Sequence, residues 1–511
     1  MKRLLVFALL AVAAAASTVP QRYVAPQFIE TPAQRRDHVR AVTSEIDQVF
    51  KTFAAERHTP GLVWGIVLDG DLVHAGATGF ANVERKIPAN ADTRFRIASM
   101  SKSFTALAVL KLRDAGKLSL QDSVGKFLPE FRAVAALTRD SPAITIRHLL
   151  TMTPGFPEDN PWGDRQLAVS VKDFSAFVSR GVSLANAPGV AFEYSNLAFA
   201  LLGQIVARVT GESYQAFITR EILQPLGLKD TRWEFADVPP DKLALGYRWE
   251  DNAWRPEPLL HDGTYGAMGG LLTTLNDFAR YVSFHLSAWP PRDDAESAVA
   301  ARASLREMHK MAEFTGVSLE KSLGGESVPQ ASGYGYGLGC TIDHQGVMRV
   351  AHSGGLPGFG SNYRFYPEHG VAIISFANLT YAGTGAPNAK AAALLIEKAR
   401  LPRRGLPPSA LLTQRSQQLA DLLQSWEPSV ADAILAENFF LDRSREAWRK
   451  QSRETLERIG RVKSVGEVVP ENQLRGTFPL VGEKGRVDVF FTLTPEQTPR
   501  VQQLRLTVAR R

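Results

Sequence analysis

Hydrophobic residues recur every three or four positions in several stretches of the chain, and this spacing predicts helices. In residues 31–57 it places Val39, Val42, Ile46 and Phe50 near one face. The same spacing recurs in SKSFTALAVLKLRDAGKL, ITIRHLLTMT, VKDFSAFVSR, NLAFALLGQIVARVTG and TTLNDFARYVSFHL. We therefore expect a long helical block in the middle of the chain.

Strand-like runs flank this block on both sides. GLVWGIVLDGDLVHAGATGFAN joins two apolar runs through Asp69, Gly70 and Asp71, which is typical of a β-hairpin. After the block, SGYGYGLGCTI opens a second β-rich region that continues through VMRVAHSGG, NYRFYP and VAIISFAN. Together these patterns predict an α+β fold in which one antiparallel sheet is built from both ends of the block. Residues 156–190 and 290–330 are expected to be loops that set the width of a site, the second as a surface insertion.

A change of composition divides the chain near its C-terminal end. Residues 399–410, ARLPRRGLPPSA, combine prolines, a glycine and arginines and are the best candidate for a linker. Before it we expect an N-terminal segment and helix at 18–57 and the main domain at 58–398. After it, helical patterns followed by strand-like runs predict a small α+β domain at 411–511. That order resembles the nuclear-transport-factor-2-like and cystatin-like cones, and a structural or autoregulatory role is open to it.

The first 17 residues, MKRLLVFALLAVAAAAS, combine Lys2 and Arg3 with an apolar run and small residues. This order predicts a secretory signal peptide at 1–17 and a secreted or periplasmic protein. A membrane anchor is the alternative, but the apolar run is shorter than the about 20 residues that span a bilayer. We expect no stable membrane span.

Composition and charge narrow the class of protein. With 44% hydrophobic and 22% charged residues the chain is an ordinary folded protein, which argues against a disordered or fibrous one. The formal net charge is +7, which is mildly basic, and because export is expected, no nucleic-acid partner is expected. An anionic envelope surface suits an exported basic protein better, but a solvated surface without a partner is the simpler interpretation.

The stretch RFRIASMSKSF places Ser99 and Lys102 where a helix is predicted to begin. Residues three apart on a helix share a face, so Lys102 can reach Ser99 and act as its base if its pKa is lowered. The spacing alone is weak, because Ser123 with Lys126 and Ser318 with Lys321 match it too.

Two further segments offer partners for Ser99. AFEYSNLAF contains the only Tyr-x-Asn of the chain, Tyr194 and Asn196. A phenol can hydrogen-bond a cation such as Lys102 and relay a proton, and a carboxamide can orient a substrate. In AHSGGLPGFG, a predicted strand ends in the run His352, Ser353, Gly354 and Gly355. Small residues there would let a substrate approach closely, and the Gly355 N–H could donate to an oxyanion.

The order Ser-x-x-Lys, Tyr-x-Asn, His-Ser-Gly resembles the serine β-lactamase and penicillin-binding protein superfamily. It is most similar to the branch of class C β-lactamases, D,D-carboxypeptidases, D-aminopeptidases and esterases, also called the S12-type branch. Flanking segments such as ITIRHLLTMTPGF and YGAMGGLLTTLNDFARY extend the resemblance over roughly residues 40–398. It implies a β-lactamase-like domain, an antiparallel sheet packed with a helical region, and no metal or cofactor.

The same resemblance assigns roles to the quoted residues. It implies that Ser99 is acylated, that Lys102 is its general base and that Tyr194 relays the proton to the leaving group. The remaining roles are substrate binding by Asn196, His352, Ser353 and Gly354, and an oxyanion hole from the N–H groups of Ser99 and Gly355. Taken singly, each residue also has a structural explanation, since Ser99 could cap a helix and His352 could end a strand.

One departure from the family pattern affects the expected substrate. Many β-lactamases have Lys-Thr-Gly where this chain has His352, Ser353 and Gly354, and no Lys-Ser-Gly or Lys-Thr-Gly occurs in the chain. A histidine of ordinary pKa is only partly protonated at neutral pH, so we expect activity to depend on protonation of His352. The lack of a permanent cation at this position favours a hydrolase that cleaves ester or peptide amide bonds in a small-molecule or peptide substrate. The alternatives are a β-lactamase or penicillin-binding D,D-carboxypeptidase, and an inactive protein that binds peptide or cell-wall polymer.

Overall fold

The computed structural model describes residues 23–509, which fall into two compact units. The large unit comprises residues 30–403, and the small unit comprises residues 23–29 with 404–509. Their boundary in the sequence lies inside the segment 399–410. The predicted signal peptide, residues 1–17, lies outside the described residues.

The large unit contains both the helical block and the strands that flank it. Its strands are β1 Gly61–Leu68, β2 Asp71–Asn82, β3 Ile87–Pro88, β4 Phe95–Arg96, β5 Tyr247–Glu250, β6 Ala253–Pro256, β7 Leu272–Thr273, β8 Glu313–Lys321, β9 Ser327–Tyr334, β10 Gly339–Asp343, β11 Met348–Leu356, β12 Phe359–Tyr366 and β13 Val371–Ala377. Its α-helices are α1 Pro32–Glu56, α2 Lys102–Asp114, α3 Val124–Phe127, α4 Ile146–Leu150, α5 Asn160–Gly163, α6 Val171–Ser179, α7 Asn196–Thr210, α8 Tyr214–Ile218, α9 Gly266–Gly269, α10 Leu275–Leu286, α11 Arg302–Met308 and α12 Gly385–Ala393. Its 3₁₀ turns are Ala98–Ser101, Pro129–Ala133 and Phe235–Asp237, and its π turns are Thr219–Leu223 and Leu394–Lys398.

One antiparallel sheet joins the two ends of the helical block, as the sequence predicts. Its nine strands run in the order β3-β2-β1-β13-β12-β11-β10-β9-β8. The join is the pairing of β1 with β13, in which Leu62 lies opposite Ala377. The α+β prediction is therefore confirmed, with the predicted hairpin as β1 and β2.

Both faces of the central strands are buried, which explains their continuous apolar runs. In β1, Val63 and Val67 pack into the core on the side of the helical block. Trp64 and Ile66 alternate with them and pack against α1 on the other face, where Phe50 stacks on Trp64 with ring centroids 5.0 Å apart. The sheet thus separates two cores, and the predicted apolar face of α1 covers the outer one.

The expectation of a surface insertion at 290–330 is wrong. This segment contains α11, β8 and the first half of β9, and β8 is the edge strand of the large sheet. Side chains of β8 such as Phe314, Val317 and Leu319 are exposed. Because a strand with neither face buried needs no hydrophobic alternation, its sequence carries no clear strand pattern.

The small unit has a separate core and a separate sheet. Its elements are α13 Ala410–Ser425, α14 Pro428–Ile434, α15 Arg445–Ile459, β14 Val462–Val465, β15 Val469–Asn472, β16 Arg475–Gly482, β17 Arg486–Leu493 and β18 Val501–Val508. The antiparallel sheet has the order β14-β16-β17-β18, and β15 pairs with β16. Residues 23–29 belong here because Gln27 pairs with Gly405. The likeness to particular cone folds stays a prediction.

Within residues 23–509, no helix has the length and hydropathy that crossing a membrane requires.

Candidate active site

Ser99 lies in the 3₁₀ turn Ala98–Ser101, which leads directly into α2. The preceding residue, Ala98, has a φ of 51°, in the left-handed region that costs an L-residue about 1–2 kcal/mol. The turn is buried, yet Ser99 lines a pocket of about 560 Å³. A strained turn that presents one serine to a pocket is a typical setting for a functional side chain.

Lys102 is fully buried beside Ser99. Its Nζ lies 3.0 Å from Ser99 Oγ, 2.7 Å from Asn196 Oδ1 and 3.1 Å from the Met268 carbonyl oxygen. An ammonium group has three hydrogens and finds three acceptors here. A neutral amine would keep two of these bonds and accept the third from the Ser99 hydroxyl.

The surroundings of Lys102 bring its protonation into the neutral range. Burial lowers its pKa to about 7, against the opposing effect of the Asp164 and Asp159 carboxylates. A lysine with an ordinary pKa is almost always charged at neutral pH and cannot accept a proton. The burial of Lys102 therefore gives it the property that a general base requires.

Tyr194 joins the pair from the segment before α7. Its hydroxyl lies beside the Ser99 side chain, and Nζ of Lys102 lies over its ring, 4.9 Å from the centroid. The sequence predicts a hydrogen bond between the phenol and the Lys102 cation, whereas the structure brings the ring to Lys102 and the hydroxyl to Ser99. Burial raises the pKa of Tyr194 far above its usual value, so its hydroxyl is neutral and can pass a proton only by exchanging one.

Asn196 is the first residue of α7 and is fully buried. Ser195 caps this helix by accepting a hydrogen bond from the Ala198 N–H. The Asn196 carboxamide accepts from Lys102 through Oδ1 and donates through Nδ2 to Asn160 Oδ1 (3.2 Å) and Asp164 Oδ1 (3.3 Å). These contacts place Asn196 with the base, and the predicted contact with substrate stays a prediction.

Strand β11 forms the opposite wall of the pocket and carries His352, Ser353, Gly354 and Gly355. A Cβ on Gly354 would lie 2.2 Å from the Ile97 carbonyl oxygen and 2.3 Å from Ser361 Oγ. Only glycine therefore lets this strand pack against the turn that carries Ser99.

His352 is almost fully buried and differs from its expected state. Its Nδ1 lies 2.6 Å from the Ser353 carbonyl oxygen, which can only accept, so Nδ1 carries the proton. Its Nε2 then accepts from the Tyr334 hydroxyl at 3.1 Å. Burial, together with the charge of Lys102, lowers the pKa of His352 to about 3. The expectation of a partly protonated His352 at neutral pH is wrong, because the sequence does not reveal this burial.

The structure adds polar residues that sequence reasoning missed. Asp159 accepts hydrogen bonds from the backbone N–H groups of Asn196 (2.6 Å) and Leu197 (2.9 Å), at the N-terminus of α7. Asp164 accepts from Asn196 and from the Tyr381 hydroxyl (3.0 Å). Both carboxylates lie in the run PEDNPWGDR, within the expected loop 156–190. The density of acidic residues in this run was the one sequence feature that could have indicated a functional role. No known spacing relates the run to Ser99, so the sequence did not predict that it contributes to the site.

The residues that line the pocket carry little charge. The pocket is lined by Ser99, Asn160, Asp164, Tyr194, Tyr334, Gly339, Ala351, His352, Ser353, Gly354, Gly355, Ser361, Tyr381, Ala382, Gly383 and Thr384. Among these lining residues, all within the described chain, Asp164 is the one carboxylate and none is lysine or arginine. Residues 23–509 hold no group of three or more His, Cys, Asp or Glu side chains suited to binding a metal ion.

The other two Ser-x-x-Lys matches lie in different surroundings. Lys126 is 55% exposed and forms an ion pair with Asp122. Lys321 lies on the edge strand β8 and donates to Ser327 Oγ. Burial, rather than spacing, distinguishes Lys102 from both.

Comparison with known proteins places this site in a family. The family model described as Beta-lactamase matches residues 46–398. Protein flp of Staphylococcus aureus (strain COL) is 30% identical over 340 residues, which are 66% of this chain and 63% of that protein. The match therefore spans less than two thirds of that relative's length. Esterase EstB of Burkholderia gladioli is 27% identical over 372 residues, 68% of this chain and 93% of the esterase.

Solved structures share the fold. The octameric penicillin-binding protein homologue from Pyrococcus abyssi matches with a TM-score of 0.59 and 22% identity, over 91% of this chain and 95% of that one. The penicillin binding protein from Bacillus halodurans matches with a TM-score of 0.53 and 25% identity, over 67% of this chain and 97% of that one.

Proposed function

The chain belongs to the β-lactamase family, and from this premise we propose that it is a serine hydrolase that cleaves ester or peptide amide bonds through an acyl-enzyme on Ser99. The observation that carries the proposal is the buried pair of Ser99 and Lys102. Nζ lies 3.0 Å from Oγ, and burial brings the pKa of Lys102 to about 7. A lysine with only a structural role has no need of a lowered pKa, whereas a general base must be neutral near the working pH in order to accept a proton.

The proposed reaction begins with neutral Lys102. Its Nζ takes the hydroxyl proton of Ser99 while Oγ forms a bond to the substrate carbonyl carbon. The N–H groups of Ser99 and Gly355 would bind the resulting oxyanion, and a donor of this kind is worth about 3 kcal/mol. Tyr194 gives its hydroxyl proton to the leaving group as the bond to it breaks and takes in exchange the proton that Lys102 holds, so that both side chains return to their neutral forms. Water then attacks the acyl-enzyme and gives a proton to Lys102, which returns it to Ser99 Oγ as the acyl bond to Ser99 breaks and the acid leaves.

The charge of the pocket supports esters and amides over substrates that carry a carboxylate. No lysine or arginine lines it, and His352 is neutral, so a β-lactam or C-terminal carboxylate would find no cation among the β11 residues that line the pocket. Asp164 adds negative charge to the same pocket. Among the relatives, EstB is named an esterase. Peptides with D-amino acids remain within the proposed class, and β-lactam hydrolysis is the competing activity.

The first experiment measures release of p-nitrophenol from p-nitrophenyl butyrate by the wild type, Ser99→Ala and Lys102→Ala. We expect both variants to lose at least about 100-fold in kcat/KM, because general-base catalysis contributes about 10²–10⁴-fold. A fluorophosphonate should add one covalent group to the wild type, mapped to Ser99 by peptide mass spectrometry, and none to Ser99→Ala.

The chain offers a matched control in its second Ser-x-x-Lys sequence. Ser123→Ala and Lys126→Ala remove the same chemical groups from positions that do not line the pocket and should leave hydrolysis unchanged. Equal rates in the wild type, Ser99→Ala and Lys102→Ala would contradict the proposal and favour the inactive binding protein. Faster turnover of nitrocefin than of any ester would favour the β-lactamase.

We also propose that the protein is exported to the periplasm or beyond, on the pattern of residues 1–17. Mass spectrometry of the N-terminus of protein recovered outside the cytoplasm should find a chain that begins shortly after residue 17. An intact Met1 on all recovered protein would contradict this.

A further inference from the structure

We propose that Asp164 is a positioning residue of this site, which holds the Asn196 carboxamide toward Lys102 and supplies the negative charge that governs the proton on Lys102. The inference rests on the proposed function and deepens it. The resemblance to known families assigns no role to this residue.

Asp164 occupies the end of a continuous chain of hydrogen bonds. It follows α5 and is 3% exposed, although it lines the pocket. Its Oδ2 accepts from the Tyr381 hydroxyl at 3.0 Å, and its Oδ1 accepts from Asn196 Nδ2 at 3.3 Å. Asn196 Oδ1 accepts from Lys102 Nζ, which contacts Ser99 Oγ. Asp164 therefore reaches Ser99 only through other residues.

The first consequence concerns the orientation of the Asn196 carboxamide. An ionised carboxylate can only accept hydrogen bonds, so Asp164 requires the NH₂ end of Asn196 to face it. Asn160 requires the same, because its own NH₂ group donates to Glu158 Oε1 at 3.0 Å and its Oδ1 remains to accept from Asn196. The amide oxygen is thereby turned to Lys102. A flipped amide would place donors against Nζ and leave the Asp164 contact without a hydrogen.

The second consequence concerns charge. Among the groups that raise the pKa of Lys102 against burial, Asp164 has the largest effect and Asp159 the next. Burial raises the pKa of Asp164 itself to about 6, with Lys102 and Tyr381 acting in the opposite direction. Since a buried ion pair is weakly screened, the proton on Lys102 depends on whether Asp164 is charged.

The other ionisable groups around Lys102 and Asp164 are either neutral or act mainly on other residues. Tyr194 and His352 face Lys102 and are neutral, because burial raises the pKa of the first and lowers that of the second. The charges of Arg165 and Glu257 act on Tyr381, that of Glu158 acts on Tyr194, and Tyr265 lies near Asp159. Asp164 is thus the acidic group that both accepts a hydrogen bond from the Asn196 carboxamide and has the largest charge effect on Lys102.

The test is the pH dependence of kcat/KM for p-nitrophenyl butyrate in the full chain. Lys102 must be neutral to accept a proton, so kcat/KM of the wild type should rise with pH through about 7. Asp164→Asn preserves the shape of the side chain and removes its charge. Without that charge the pKa of Lys102 falls, and the rising limb should move to lower pH by about one unit or more.

Asn160→Ala is the matched control, because it removes the neutral partner of the same Asn196 amide. We expect it to lower kcat without moving the rising limb. If Asp164→Asn does not fold, as judged by its thermal unfolding, Asp164→Ser removes the same charge in less volume and takes its place. A limb that stays at the wild-type pH in a folded Asp164 variant, or that moves equally in Asn160→Ala, would overturn the inference.

The outcomes separate this inference from the proposed function. If Ser99→Ala hydrolyses the ester at the wild-type rate, both the proposed function and the inferred role of Asp164 are wrong. Hydrolysis that depends on Ser99, with identical pH limbs in the wild type and Asp164→Asn, would end only the role of Asp164.

Discussion

At the scale of single residues, burial decides which groups of the site carry charge. It lowers the pKa of Lys102 to about 7 and that of His352 to about 3, and it keeps the Tyr194 phenol protonated. Near neutral pH the β11 residues that line the pocket are therefore uncharged, and the ionisation that governs the proposed reaction belongs to Lys102 and Asp164. The buried His352 thus adds neither a positive charge nor a pH switch to the pocket near neutral pH.

This state of His352 leads to a prediction about His352→Asn. Because His352 holds no charge above about pH 4, the rising limb of kcat/KM should stay near pH 7 in the variant, within about 0.3 units. Ester hydrolysis measured from pH 5 to 9 in the wild type and the variant checks this. If the rising limb of the kcat/KM profile disappears in the variant, or moves toward pH 6 or 8, then protonation of His352 does control the activity.

The grouping of Ser99, Lys102, Tyr194 and Asn196 could be predicted from the sequence, but their protonation could not. Each of the four lies at or next to a helix start with a local signature, and the resemblance of these signatures to a known family indicated that they lie together; the structure brings them together. Asp164 has no such signature, since its partner Tyr381 is 217 residues away in the chain. Burial and contacts between distant segments are properties of the packed structure.

At the scale of elements, the site depends on how closely β11 approaches the turn Ala98–Ser101. Ser361 on the neighbouring strand β12 donates to the Ile97 carbonyl at 2.8 Å and ties the sheet to this turn. Gly354 lies between them with no room for a side chain. The sequence predicted β11 and the helix start, because both have clear apolar patterns. It did not predict β8, whose exposed faces need no such pattern.

Gly354→Ala tests this close approach. Its methyl group must displace β11 from the Ser99 turn, so we expect a loss of about 1–3 kcal/mol in the free energy of unfolding. The Gly355 N–H, the proposed oxyanion donor, would move with the strand, and kcat/KM for the ester should fall by about 10-fold or more, since even a partial loss of a donor worth about 3 kcal/mol has this effect. Urea unfolding and ester hydrolysis measure the two effects.

Gly383→Ala is the control for that substitution. Gly383 lines the same pocket, but a Cβ there would meet no atom within 4 Å. The control should retain wild-type stability and activity. Equal losses in the two alanine variants would show that the pocket is sensitive to any added methyl group, and that β11 makes no special approach.

At the scale of the whole molecule, each unit has the components of an independent fold. The cores of the large unit are drawn from residues between 30 and 403, and the small unit has its own core, which includes Leu419, Phe478 and Val489. The sequence could predict two folded units, since the change in composition at 399–410 is local. It could not assign residues 23–29 to the small unit, because that depends on the pairing of Gln27 with Gly405.

A fragment of residues 30–403 should therefore fold and hydrolyse p-nitrophenyl butyrate within a few-fold of the full chain. Every residue that lines the pocket, and every hydrogen-bond partner described for Ser99, Lys102 and Asp164, lies inside this range. The measurements are cooperative thermal unfolding and kcat/KM, with Ser99→Ala in the same fragment as the blank. A fragment that unfolds cooperatively but loses hydrolysis would assign the small unit a part in catalysis. That result would contradict a site completed by the large unit alone.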